Sequence, residues 1–318
     1  MKSFRILNKK NLHRIIFLFL PLFLVIVVLI LFTLNLYLRD SIEELSLVKA
    51  PLPEVSAEKY PILKKTFTPY VSAQGVVIMD PDTKVVLYAK NPNLRFSSAS
   101  TTKIMTALTA LEYFKLNDIL TVYVPMTDGS VLRLKQGEKI SFENLLYGML
   151  LPSANDAAFT IAENYPGGVK QFVSKMNENA KEWYLFNTHY EDPSGLDDGN
   201  YTTPVDLARL ASVAKKNAEI AKVVSTKEKI ITDVSGESVY NLENLNKLLG
   251  INGVDGIKTG YTEEAGQVLV TSKTYLDVNE NKNRSVIIVV MGSSDRFYDT
   301  GVLLSLITDN ISYLSIRP

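Results

Sequence analysis

The chain has 318 residues, 46% of them hydrophobic, which is enough for one sizeable core or one domain with an appendage. It holds no cysteine and two histidines, so disulfides contribute nothing, a Cys/His zinc site is disfavoured, and no metal or cofactor is expected. Its 34 Lys/Arg balance 34 Asp/Glu, and no basic patch points to nucleic acid as a partner.

The charge is uneven at the N-terminus. Residues 1–14 form a basic tail with Lys2, Arg5, Lys9, Lys10 and Arg14 and no acid. Residues 15–38 carry no charge and are almost wholly apolar. That length exceeds the roughly 20 residues a helix needs to cross a bilayer. The basic flank predicts a cytoplasmic N-terminus and an extracytoplasmic remainder, hence a single-pass protein of the cell membrane. A cleaved signal peptide competes, but its apolar region is usually about 7–15 residues with a small-residue site close by. The tolerable site here, Val48-Lys49-Ala50, lies far downstream and precedes Pro51. An uncleaved transmembrane helix is therefore expected. Residues 39–69, with Pro51, Pro53, Pro61 and Pro69, read as an extracytoplasmic stalk, and residues 70–318 as the folded domain.

The folded part opens with two strand-like runs, Gly75-Val76-Val77-Ile78-Met79 and Lys84-Val85-Val86-Leu87-Tyr88, joined as a hairpin through Asp80-Pro81-Asp82-Thr83. Next comes Ser100-Thr101-Thr102-Lys103, leading into a mostly apolar run to Leu111 that reads as a buried helix. Positions i and i+3 share a helix face, so Ser100 is expected in the first turn with Lys103 beside it. The positive helix end favours negative charge near Ser100. The bland alternative is that Ser97, Ser98 and Ser100 only cap the helix.

A second apolar helical run, Asn144 to Leu151, breaks at Pro152 and is followed by Ser153-Ala154-Asn155 and a third run, Ala157 to Ala162. Ser153 and Asn155 are thus expected on a tight connection between buried helices. There Ser153 can relay a proton, and Asn155 can donate to a substrate carbonyl and to Lys103. Thr203-Pro204-Val205-Asp206 predicts a helix start, with Thr as N-cap and Pro at the first position.

A strand is expected over Gly256-Ile257-Lys258-Thr259-Gly260-Tyr261-Thr262, its glycines letting another backbone come close. Lys258 would supply a second cation that helps keep Lys103 neutral. Strands over 267–271 and 285–291 and a helix over about 300–313 complete the pattern. Strands at both ends with helices between predict an α+β fold, an antiparallel sheet packed with a helical cluster.

A serine hydroxyl needs a base within hydrogen-bond reach. His13 sits in the basic tail, and His189 lies in Asn187-Thr188-His189-Tyr190 with no nucleophile-like serine motif around it. That argues against a Ser-His-Asp triad. Lysine can serve if burial and a neighbouring cation strip its proton. The three short motifs, each weak alone, stand in one order, with 53 residues from Ser100 to Ser153 and 105 from there to Lys258.

On these motifs, and on the words Asp192-Pro193-Ser194-Gly195-Leu196 and Val254-Asp255-Gly256, the chain resembles the D-alanyl-D-alanine carboxypeptidases, the low-molecular-weight penicillin-binding proteins of peptidase family S11. The resemblance covers roughly residues 70 to 315. It implies the serine β-lactamase/DD-peptidase transpeptidase-like fold, with Ser100, Lys103, Ser153 and Asn155 catalytic and Lys258, Thr259, Gly260, Tyr261 and Arg296 binding substrate. It implies an oxyanion hole from the backbone N–H groups of Ser100 and Tyr261, and a substrate carboxylate held by Thr259 and Arg296. For Arg296 the plain alternative is a surface ion pair with Asp295 or Asp299. The implied partners are peptidoglycan stem peptides ending in D-Ala-D-Ala and covalent β-lactam inhibitors.

Three departures stand out. Many relatives continue into a β-rich C-terminal domain and an amphipathic membrane helix, whereas this sequence stops at Pro318, so the N-terminal span is expected to replace that anchor. The N-R-N word of some relatives is Asn244-Leu245-Asn246 here, which shifts weight to Thr259 and Arg296. Tyr261 stands where some relatives have histidine. The leading expectation is a carboxypeptidase removing the terminal D-alanine. A DD-endopeptidase cutting cross-links and a non-catalytic penicillin-binding sensor are the alternatives. A class A β-lactamase is disfavoured as well, although one Glu between the second and third motifs, Glu237, has Asn four residues on.

Overall fold

The computed structural model describes residues 27–35, 59–66, 68–277 and 280–315. The chain divides into two compact units, Met1–Ser56 and Ala57–Pro318. In the first unit, residues 27–35 form helix α1. Most of the expected transmembrane span 15–38 lies outside the described residues, as do the basic tail and His13. No helix of the described residues is long and apolar enough to cross a membrane.

The second unit begins with strand β1 (Lys59–Leu63), then β2 (Gly75–Met79), β3 (Val86–Lys90) and β4 (Phe96–Ser97). Helix α2 (Thr102–Leu111) follows, then β5 (Ile119–Thr121), β6 (Lys139–Ser141), α3 (Phe142–Leu150), α4 (Asn155–Glu163) and α5 (Gly168–Glu182). Next come β7 (Tyr201–Thr202), α6 (Pro204–Lys216), α7 (Ala218–Val224), β8 (Glu228–Thr232) and β9 (Val239–Glu243). The chain closes with β10 (Val254–Thr262), β11 (Gly266–Asp277), β12 (Lys282–Ser293), α8 (Arg296–Ile307) and β13 (Ile311–Ser315).

The main sheet has the order β10-β11-β12-β2-β3, antiparallel throughout. Its inner strands β2 and β12 carry continuous apolar runs because both faces are covered. Side chains alternate across a strand. Val77, Met79, Ile287, Val289 and Met291 therefore pack with α2 to α7. Val76, Ile78, Val286, Ile288 and Val290 pack with Leu303, Leu304 and Ile307 of α8 on the other face. The helical cluster is as expected, and α8 adds a third layer.

Several boundaries differ from the sequence expectation. Lys84 adopts a left-handed φ of 60°, so the second hairpin strand begins at Val86 and runs to Lys90. The last helix starts at Arg296, capped by Asp295, and ends at Ile307. The residues after it form β13 instead, which pairs antiparallel with β1. Part of the segment read as stalk is thus a strand of the second unit. Periodicity could not show this, because an edge strand of mixed polarity forms only where a partner strand is offered. At α6 the expectation holds, with the Thr203 side chain accepting from the Asp206 N–H and Pro204 in the first turn.

Candidate active site

Ser100 sits in a 3₁₀ turn, Ala99–Thr101, immediately before α2, and so just outside the first α-helical turn where it was expected. The capping alternative fails on its geometry. The N-cap of α2 is Thr101, which makes no side-chain cap bond. The Ser98 and Thr102 hydroxyls bond to each other at 2.7 Å. The Ser100 hydroxyl instead faces Lys103 Nζ at 3.0 Å.

Lys103 is completely buried at the start of α2. Its Nζ also donates to Asn155 Oδ1 at 2.7 Å and to the Ser194 carbonyl at 2.7 Å. Burial lowers its pKa to about 7, against the opposing charges of Asp192 and Asp156. A neutral amine has two N–H groups and one lone pair. The two shortest contacts are to oxygens that only accept, so they take both N–H groups and leave the lone pair for the Ser100 O–H. This is the arrangement of a base poised on a nucleophile.

Asn155 is the first residue of α4, with Ala154 as N-cap. Its amide orientation follows from its partners: Nδ2 donates to the Asp128 carbonyl at 2.9 Å, leaving Oδ1 for Lys103. The expectation that Asn155 donates to Lys103 is therefore reversed. Here it accepts, because its N–H already has a carbonyl. Ser153 lies in the connection after α3, buried, with φ at +68°. Its Oγ has no hydrogen-bond partner. A strained non-glycine residue carrying an unsatisfied buried hydroxyl costs about 1–3 kcal/mol for each feature, which marks a functional position rather than a stabilising one.

The third motif runs along β10, the edge strand of the main sheet. Gly260 lies against the nucleophile turn. A Cβ there would stand 3.3 Å from the Ser100 nitrogen and 3.4 Å from that of Thr101, so a side chain would push strand and turn apart. Lys258 is buried and donates to the Thr259 carbonyl at 3.1 Å. Burial first, then the charges of Lys103 and Arg296, hold Lys258 well below the usual lysine range. Burial, rather than the charge of Lys258, is thus what lowers Lys103. Thr259 is buried beside it, while the Tyr261 side chain is exposed.

Arg296, at the start of α8, reaches across to donate from Nη1 to the Gly260 carbonyl at 2.7 Å, and its Nε is buried without a partner. The anticipated ion pair is not formed. Asp295 accepts from the Phe297 and Tyr298 N–H groups, and Asp299 is taken up by Ser72, Ala73 and Ser293. Arg296, Tyr261, Gln267, Phe297 and Lys247 line a cavity of about 550 Å³. Lys247, whose Nζ lies 5.7 Å from the Phe297 ring centre, is a cation that the sequence reading missed. It stands two residues beyond Leu245, and no motif marks it. Asn246 braces β10 through a bond from Nδ2 to the Gly256 carbonyl at 3.1 Å.

Two further segments complete the site, the first without any motif signal and the second through the word Asp192 to Leu196. The stretch 128–134 clamps the second motif through Asn155 N–H to the Ser130 carbonyl and through Leu132 and Leu134 N–H to the Asp156 carboxylate. The segment 192–200 supplies the Ser194 carbonyl. His189 pairs with Glu191 at the surface and takes no part. Among the described residues no group of three or more His, Cys, Asp or Glu is placed to hold a metal.

Residues 63–295 match the family model described as D-alanyl-D-alanine carboxypeptidase, peptidase S11. The chain is 36% identical over 231 residues to the D-alanyl-D-alanine carboxypeptidase DacF of Bacillus subtilis. That match covers 70% of this chain and 58% of the relative, so the chain spans less than two thirds of its length. Identity is 32% over 235 residues to a D-alanyl-D-alanine endopeptidase of Pseudomonas aeruginosa, covering 72% of this chain and 75% of that protein. The crystal structure of the Streptomyces K15 DD-transpeptidase superposes with a TM-score of 0.69 at 33% identity, over 76% of this chain and 98% of that one.

The pKa of Lys103 has a direct kinetic consequence. Below about 7 its amine keeps a proton and cannot accept one from Ser100, and above about 7 it can. The rate at which a serine-directed acylating reagent modifies Ser100 should therefore climb with pH through about 7. A flat profile across that range would remove Lys103 from the role of base.

Proposed function

The chain belongs to the peptidase S11 family of D-alanyl-D-alanine carboxypeptidases, and on that footing we propose that it removes the terminal D-alanine from peptidoglycan stem peptides through an acyl-enzyme on Ser100. The observation that carries the reading is the Lys103 amine, buried and shared between Ser100, Asn155 and Ser194. Ser100 Oγ attacks the carbonyl of the penultimate D-alanine while its proton passes to Lys103. The backbone N–H groups of Ser100 and Tyr261 receive the oxyanion, a contact whose loss typically costs about 10²–10³ in rate. The proton then goes to the departing amine of D-alanine, with Ser153 as relay, and the C–N bond breaks. Water hydrolyses the resulting ester and returns Ser100 to its starting state. The burial of Lys103 opposes a lasting positive charge there and so favours onward proton transfer.

Arg296 and Thr259 receive the free carboxylate of the substrate. Support comes from the unpartnered buried Nε of Arg296 and from its hold on the Gly260 carbonyl, which aligns it with β10. A β-lactam would acylate the same serine. The same machinery serves a cross-link, and relatives carry both names, so the endopeptidase reading is separated by product: free D-alanine against a split dimer.

Residues 15–38 anchor the protein in the cell membrane, with the basic tail inside and the catalytic unit outside. The absence of charge across that span and the five Lys/Arg before it support this placement.

Ser100→Ala is expected to abolish both release of D-alanine from a diacyl-D-Ala-D-Ala peptide and covalent labelling by penicillin. A variant still labelled at full stoichiometry would overturn the assignment. Arg296→Ala should lose roughly 10–150-fold in kcat/KM on free-carboxylate peptides, as one charge-assisted contact is worth about 1.5–3 kcal/mol, and far less on the same peptides capped as amides. Equal losses on both would make Arg296 structural. Deleting residues 1–38 should move the protein from the membrane to the soluble fraction with peptidase activity retained, and a deletion product that still sediments with membranes would refute the anchor.

A further inference from the structure

The segment 192–200 was a family word without a role, yet it delivers one of the three oxygens around Lys103. Its folding is organised by one carboxylate. Asp192 is 8% exposed. Its Oδ1 accepts from the N–H groups of Ser194 and Gly195 and from the Ser194 hydroxyl, the last two at 2.7 and 2.8 Å. Its Oδ2 accepts from the Asp197 N–H and from Asn200 Nδ2. Burial works against this charge, yet the bonds from Asp197, Ser194 and Gly195 hold the carboxyl below its usual range. It is therefore ionised wherever the enzyme would work.

The clamped segment is pressed on the nucleophile from two sides. Gly195 has φ +85°, and a Cβ there would stand 1.8 Å from the Ala99 carbonyl oxygen, so the segment touches the Ser100 turn directly. On α2, Thr106 Oγ1 donates to the Pro193 carbonyl at 2.6 Å. The Ser194 carbonyl between them takes a hydrogen bond from Lys103.

We propose that Asp192 is a positioning residue for the reaction set out above: its carboxylate locks the Ser194 carbonyl onto Lys103, and its charge faces the Lys103 amine. This rests on the reading of Lys103 as the base of Ser100. The groups that face Lys103 from the surrounding elements can be named. Asp156 on α4 adds a second negative charge, and the buried Lys258 amine on β10, itself held well below the usual lysine range, is the remaining basic group there. On α5, Lys175 pairs with Glu112 at the far end of α2, and on α6 Asp206 pairs with Arg209. Asp192 heads the charges that oppose the effect of burial on Lys103.

The two roles of Asp192 separate in the pH profile. Loosening the segment lowers the rate at every pH. Removing the charge lowers the pKa of Lys103, which frees its lone pair at lower pH. For Asp192→Asn, the rate of penicillin acylation at its plateau should fall by roughly tenfold or more. The acid limb should also move toward lower pH by roughly half a pH unit. Ser194→Ala keeps the charge and deletes one bond to it, so its plateau should fall several-fold with the acid limb in place. An Asp192→Asn enzyme that is slower but shows an unmoved acid limb makes Asp192 a structural clamp and overturns the proposal. If circular dichroism shows that Asp192→Asn does not fold, Ser194→Ala decides: a wild-type plateau overturns the proposal and a reduced one supports it. A wild-type protein that takes no penicillin overturns the function itself, an outcome visible before either variant is made.

Discussion

A lysine amine enclosed away from water is the constraint on which the rest of the site depends. Burying an ammonium without full compensation is costly, so the group sheds its proton instead, and the side chain becomes a base near neutral pH. A neutral amine has few bonding options. Two N–H groups need acceptors, and the lone pair needs a donor. Asn155 Oδ1 and the Ser194 carbonyl meet the first need, which leaves the Ser100 hydroxyl for the second. Replacing Lys103 by arginine would break this logic, since a guanidinium stays protonated.

The three oxygens around Lys103 come from segments far apart in sequence, and without cysteine no disulfide can hold them. Buried carboxylates do so instead. Asp156 accepts from the N–H groups of Leu132, Leu134 and Ala157 and fixes the stretch against which Asn155 is set. Asp192 does the same for the segment bearing Ser194. Asp299 ties Ser72 and Ala73 to the start of α8, beside Arg296. In each case an anion satisfies several backbone donors that a loop would otherwise leave unpaired. Such charge-assisted bonds are among the stronger ones available to a protein.

The sheet provides the remaining order. Its central strands are covered on both faces, which makes it a rigid wall between α8 and the helical cluster. β10 is its edge, so one side of that strand keeps backbone groups free of the sheet, and this side borders the nucleophile turn through Gly260. An extended peptide needs such an edge to be held by its own backbone. Arg296 crosses from the opposite layer to the Gly260 carbonyl, so α8 reaches the groove although it packs on the far face.

Local chemistry made much of this legible. The α2 run, the capped start of α6 and the apolar strands β2 and β12 are set by periodicity, capping and turn residues, which act over a few neighbours. The three motifs pointed to Ser100, Lys103, Ser153, Asn155 and Lys258 as candidates, because side-chain type and order carry reaction chemistry. Tertiary structure alone decided what depends on distant contacts. The pairing of β1 with β13 is one case, since neither strand is apolar enough to announce itself. The direction of the Asn155 amide is another, because the Asp128 carbonyl imposes it. The Ser194 carbonyl and Lys247 are the last: a backbone oxygen has no residue signature, and a surface lysine gains meaning only from the cavity it lines. Hydrogen-bond direction and burial are properties of the assembled neighbourhood, and they set the state of Lys103.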